Sequence, residues 1–194
     1  MSIPGHRLGD PTLPPAPLDP TDLDRMKRAV LLGDADIAAL RRSRPILEPQ
    51  VDRVLDVWYG FVGAHDFLLA TFADATTGQP IGPYLERVRA RFGRWVLDTA
   101  AADFDAQWLA WQIEIGRRHH RVGKNATDGV SGSAIVPFRY LPLLAQPIVD
   151  TLRPFLAASG DESTTVDAMQ NAWRKAVLLT ITLWSLPYVH PGDY

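Results

Sequence analysis

The sequence predicts an all-α protein built as one domain, and three observations carry that prediction. Apolar residues recur at helical spacing through several long segments. No segment sustains the alternation of apolar and polar positions, in strand-forming residue types, that a half-buried strand requires. Prolines and glycines fall between the periodic segments, where they end helices. At 194 residues and 46% hydrophobic content the chain is long and apolar enough to bury a substantial core.

Taken in order, residues 1–20 hold six prolines, Pro4, Pro11, Pro14, Pro15, Pro17 and Pro20, and therefore read as an extended segment. Ile3, Leu8, Leu13 and Leu18 give it apolar groups with which to dock; a mobile tail is the other reading. Thr21 is placed to cap a short helix over 22–32 that stops at Gly33. A second short helix is expected over 35–43, with Pro45 opening the next. From 46 to 62 the residues Leu47, Val51, Val54, Leu55, Trp58, Tyr59 and Val62 form one broad stripe. Residues 66–72 read as a short helix and TTGQPIGP as a loop.

The span 84–99 is a strong helix, with Leu85, Val88, Phe92, Trp95, Val96 and Thr99 on one face and Arg87, Arg89, Arg91 and Arg94 around the rest. Asp103 is placed to cap a helix running through WLAWQIEIGRRHHR to about Arg121, which breaks in the polar stretch GKNATDGVSGS. Residues 135–158 look helical, bent or interrupted by Pro137, Pro142, Pro147 and Pro154. Ser163 or Thr164 is expected to cap a long helix to about Leu186, ended by Pro187. The total is about eight or nine helices of unequal length. Two long helices following a histidine-bearing one make a globin-like arrangement the first choice among α folds.

Composition removes several functions. A net charge of −2 speaks against nucleic-acid or anionic-membrane binding. No apolar run is long enough to cross a bilayer, and no cationic start precedes an apolar core, so a soluble cytoplasmic protein is expected. The chain has no cysteine, which excludes disulfides, iron–sulfur clusters and thiolate nucleophiles. The histidines are His6, His65, His119, His120 and His190; no two lie four apart and no HExxH occurs, so a zinc hydrolase has little support.

On a 3.6-residue wheel Trp108, Trp111, Gln112, Ile115 and His119 share a stripe, and His120 lies on the more polar flank. An imidazole on an apolar helix face is a candidate metal ligand in a dry pocket. It is more often the pattern of a core histidine bonded to a backbone carbonyl, and the residues alone leave both readings open.

The blocks WYGFVG at 58–63, RFGRWVLDT at 91–99, EIGRRHHR at 114–121 and PFLAASG at 154–160, together with the ending LWSLPYVHPGDY, resemble the protoglobins. These are single-domain relatives of the globin-coupled sensors, and the likeness runs from about residue 25 to the C-terminus in the same order. It implies an expanded globin fold, a 3-over-3-type helical sandwich with an extra N-terminal helix and loop. Residues 1–20 are then the N-terminal loop segment and 21–194 the globin-like haem domain. The resemblance implies a non-covalent haem b whose iron is held by His119, three residues after the glycine of Ile115-Gly116. Trp58, Tyr59 and Phe92 are implied on the distal side, with Tyr59 able to donate a hydrogen bond to bound dioxygen.

Leu144 and Ile148 complete the implied cofactor-binding set. The family often has a phenylalanine at the position of Leu144, so this side of the pocket is expected to be looser, and Pro142 sets the chain apart in the same helix. The function implied is reversible binding of O2, CO and NO, as gas carrier or sensor, with no catalytic residue assigned. The alternative is a haem enzyme in the same open pocket, for nitric oxide dioxygenation, peroxidase-like turnover or carbene transfer. A homodimer through the two long C-terminal helices is implied, with Trp173 and Trp184 either at that interface or in the core. A reductase or signalling partner is left unidentified, and His120 is expected on the polar flank, near a propionate or the partner subunit.

Overall fold

The computed structural model describes residues 3–190 and 192–194, and among these it is all-helical. Residues 1 and 2 of the expected N-terminal segment, and Pro191 of the ending motif, lie outside the described residues. The helices are α1 (Pro20–Ala29), α2 (Asp34–Leu47), α3 (Val51–Gly63), α4 (Asp66–Leu69), α5 (Gly82–Ala101), α6 (Ala106–His119), α7 (Tyr140–Leu143), α8 (Ala145–Ala157) and α9 (Ser163–Ser185). Short 3₁₀ turns follow α2, α4 and α9. Extended pairing among the described residues is limited to two isolated bridges, Ala73 with Pro80 and Asp74 with Gly132.

The caps differ from the sequence reading, each for a local reason. Asp19, not Thr21, caps α1. Pro20 is well suited to the first helical position, which places Asp19 at the cap, where its carboxylate accepts from the Asp22 N–H at 2.9 Å. The helix ends at Ala29, short of the expected Leu32, and Leu31 turns the chain at φ +57°. Gly33 therefore opens α2 instead of closing α1, and the Asp36 carboxylate accepts its N–H at 2.9 Å.

Pro45 does not start a helix. It rides inside α2, and the break comes at Pro49, which has no N–H to continue the ladder to the carbonyl of residue 45. Asp105 rather than Asp103 caps α6, accepting from the Trp108 N–H at 2.7 Å. Asp103 sits between two residues of positive φ, Ala102 and Phe104, where the chain reverses. Helix α9 begins at Ser163 itself, after a Glu162 cap that makes no side-chain hydrogen bond. Residues 135–139 are not helical, because the Val136 N–H is drawn to the His119 carbonyl at 2.8 Å.

The long helix α9 packs against α2, α6 and α8, while α5 packs on α2 and α3. Both tryptophans considered for an interface face inward. Trp173 is fully buried and its indole N–H donates to Ser43 Oγ at 2.9 Å; Trp184 is 6% exposed and donates to Gln112 Oε1 at 3.0 Å. The N-terminal segment lies across α5 and α6. His6 Nε2 is 2.6 Å from Asp98 Oδ2, while the Pro4 and Gly5 carbonyls accept from Arg91 and Arg118. No helix of the described residues is long and apolar enough to cross a membrane.

Candidate functional site

One aromatic-walled cavity lies between α3, α5, α6, α8 and α9, with roughly 1230 Å³ of empty space, part of it continuous with solvent. Its walls include Trp58, Tyr59 and Val62 of α3, Val88, Phe92 and Trp95 of α5, Ile115 and His119 of α6, Ile148 of α8, and Ile181 and Trp184 of α9. Leu144, between α7 and α8, completes this apolar lining. All six residues singled out as a set, His119, Trp58, Tyr59, Phe92, Leu144 and Ile148, therefore meet on one cavity.

His119 ends α6, and the i, i+4 geometry of the helix brings its Nδ1 to the Ile115 carbonyl at 2.9 Å. A carbonyl only accepts, so in the neutral ring Nδ1 carries the proton and Nε2 keeps its lone pair. Burial pulls the imidazole down to about 4, against the opposing hydrogen bond to Ile115, and the charge of Lys124 acts in the same direction as burial. At neutral pH the ring is uncharged and Nε2 keeps a lone pair free to accept or coordinate. Its face is stacked on the Trp184 indole, with ring centroids 4.7 Å apart and planes at 19°. That stacking depends on Gly116, where a Cβ would stand 2.8 Å from Trp184 Cα. Tyr188 fastens the same end of α6, its one hydroxyl proton shared between the carbonyls of His119 and Val136 at 2.7 and 2.8 Å.

His120, by contrast, does not line the cavity. As the first residue beyond α6 it adopts extended geometry, and its ring meets Tyr188 edge-on at 4.9 Å.

On the α3 and α5 side, Phe92 stacks on Trp95 at 5.2 Å and approaches Trp58 at 5.7 Å, which fixes the three rings relative to one another. Burial raises the Tyr59 phenol well above its ordinary range, outweighing the nearby charges of Arg89 and Arg91, so it stays protonated. Its hydroxyl has no protein hydrogen-bond partner among the described residues, which leaves a donor for the cavity.

Sequence reasoning did not find the polar end of the cavity. Arg91, Arg118, Lys124, Thr127 and Asp128 stand there, beside Thr71 and Tyr84. Asp128 is held by Arg91 at 2.5 Å and Arg87 at 2.7 Å, whose hydrogen bonds overcome its burial and keep its carboxyl below the usual range. Arg118 pairs with Glu114 at 2.9 Å and lies 4.9 Å from the centroid of the Trp111 ring. In the sequence these arginines read as a polar helix flank, and Lys124 as one residue of a solvated loop. Trp184 carried only a core or interface signal.

The protoglobin family model matches residues 19–194. The chain belongs to the protoglobin family. The fold of this protoglobin-family chain is similar to that of the globin domain of the Geobacter sulfurreducens globin-coupled sensor, with a TM-score of 0.66. The two share 14% sequence identity over 86% of this chain and 97% of that one, so this likeness shows the fold alone. No curated protein matches the sequence.

Membership of the protoglobins implies haem binding in a globin-type role. The residues of the cavity fit such a group. Among the described residues no cluster of three or more histidine, aspartate or glutamate side chains could hold a bare metal ion. A single neutral imidazole on an apolar wall would suit instead an iron carried by a porphyrin. The cationic end suits the carboxylates of such a ligand.

Proposed function

We propose that this protoglobin-family chain is a haem b globin that reversibly binds dioxygen, carbon monoxide and nitric oxide, with His119 as the iron ligand. The observation that carries the reading is the state of His119. It is neutral, with Nδ1 committed to the Ile115 carbonyl and Nε2 left to coordinate, on the wall of an aromatic cavity. When bound to His119, haem would supply an iron able to take a diatomic gas.

The chain's own residues do the rest. The Ile115 carbonyl and the Trp184 face fix the plane and tautomer of the imidazole. The Tyr59 hydroxyl donates a hydrogen bond to a polar diatomic ligand. Trp58, Phe92, Leu144 and Ile148 exclude water and give the site its shape. We place the protein in the cytoplasm, as a gas carrier or sensor. We also place its homodimer contact on the outer faces of α8 and α9, where Leu178 is 40% exposed. The haem-enzyme alternative has less support here, because the Tyr59 phenol is a donor held protonated and not a base for proton transfer.

Absorption spectra of the purified protein, oxidised, reduced and under carbon monoxide, test this. A Soret band that moves on reduction and again with carbon monoxide is expected. His119→Ala should lose stable haem retention while His120→Ala keeps it. Equal loss in both, or a protein that stays colourless when supplied with haem, would remove the assignment.

A further inference from the structure

Lys124 is 4% exposed and lines the cavity. Its ammonium donates to the Thr71 carbonyl at 2.7 Å and to the Tyr84 hydroxyl at 3.3 Å, and it lies 5.2 Å from the centroid of the Tyr84 ring. All of these partners are neutral. An ammonium group has three N–H donors, so one N–H and the whole charge remain without a counterpart. The other cations on the cavity wall differ in this respect: Arg91 is clasped by Asp128 and Arg118 by Glu114. Among the described residues Lys124 has no ion-pair partner.

A buried charge in this condition either finds an anion or gives up its proton. Burial pulls Lys124 down to about 8, as an uncompensated ammonium requires. The titratable groups around it do not supply the missing charge. Burial raises Tyr84, which therefore stays a neutral phenol, and His119 is neutral, in part because of the charge on Lys124.

We propose that Lys124 is the anchor for a carboxylate of the cavity's ligand, and, resting on the haem reading above, for one propionate of the haem. The charges agree: Arg87, Arg91 and Arg118 are paired with Asp128 and Glu114, and with Lys124 added the cations outnumber the carboxylates. A dianionic ligand edge is favoured there over a neutral one. The carboxylate takes up the third N–H of Lys124 in a charge-assisted hydrogen bond, the stronger kind.

The test uses the full chain free of haem, with zinc protoporphyrin IX and its dimethyl ester as probes, and with Lys124→Met beside the wild type. The wild type should bind the diacid roughly tenfold more tightly than the ester, the advantage expected of one charged hydrogen bond. Lys124→Met should lower affinity for the diacid by a similar factor and leave affinity for the ester unchanged. A second readout is the titration midpoint of Lys124, followed by the carbon-13 signal of its Cε. It should begin near 8 and rise on loading with the diacid, but not with the ester.

Equal weakening of both porphyrins in Lys124→Met would show that the side chain only packs, and would overturn the proposal. A midpoint unmoved by the diacid would overturn it as well, and this arm needs only the wild type should the variant fail to fold. Equal binding of diacid and ester by the wild type would sink the anchor while leaving the haem pocket standing. Failure to bind either porphyrin would sink both.

Discussion

At the scale of single residues, the chemistry of the cavity rests on two neutral side chains, and for His119 burial is the cause. His119 titrates near 4 in the folded chain against an ordinary value of 6.5. Its folded value is depressed, so the unfolded state binds the proton first as pH falls. Stability of the haem-free chain is therefore full above about 6.5 and is lost between there and about 4. The loss attributable to this one group should reach about 3 kcal/mol. Urea unfolding at pH 7 and pH 4.5, in the wild type and in His119→Leu, measures it, and an equal pH dependence in both would refute the attribution. Tyr59 is the second such side chain. Tyr59→Phe removes the donor without changing the shape, and should cost about 1 kcal/mol of dioxygen binding, seen as a roughly fivefold faster dissociation. Carbon monoxide dissociation, followed by stopped flow, should barely change.

Between elements, the contact that positions the proximal side is the close approach of α6 to α9 at Gly116. A methyl group there would meet the backbone of Trp184, with Cα at 2.8 Å and the carbonyl oxygen at 2.9 Å, and backbone cannot rotate away. Gly116→Ala must push the two helices apart and lift the indole from the His119 ring. Destabilisation of about 1–3 kcal/mol is expected in chemical denaturation. A variant as stable as the wild type would mean that α9 shifts without penalty. The glycine of the IG pair thus has a physical reason that a helix propensity scale would count only as a defect. Element boundaries were the least legible part of the sequence. Asp19 and Asp105 displaced Thr21 and Asp103 as caps because neighbouring backbone, a proline in one case and two residues of positive φ in the other, set where each helix begins.

For the whole molecule, the N-terminal segment acts as a strap. It ties α5 to α6 through His6 on Asp98, whose other partner is Arg94 at 2.8 Å, and through carbonyls accepting from the cavity arginines Arg91 and Arg118. His6→Ala leaves the 3%-exposed Asp98 carboxylate with one partner fewer, so the strap should loosen. Hydrogen exchange of the amides in the N-terminal segment should quicken while those of α9 keep their protection. Unchanged protection in the segment would show that its other contacts suffice.

The all-helical class, the order of the long helices and the placing of His119 rather than His120 on the apolar face followed from residue spacing alone. An apolar stripe at 3.6-residue period is a local property, and it survives into any fold that buries that face. The haem reading came from the likeness of whole sequence blocks, which carry more information than periodicity. What neither could supply is which distant residues share a wall. Lys124 and Thr71 are far apart in sequence, and Gln112, Trp184 and His119 meet only because α9 returns across α6. A lysine in a glycine-flanked polar loop looks solvated until the tertiary structure buries it. The ionisation of His119 and Lys124 was decided there too, since it depends on the water removed around each group and not on its neighbours in the chain.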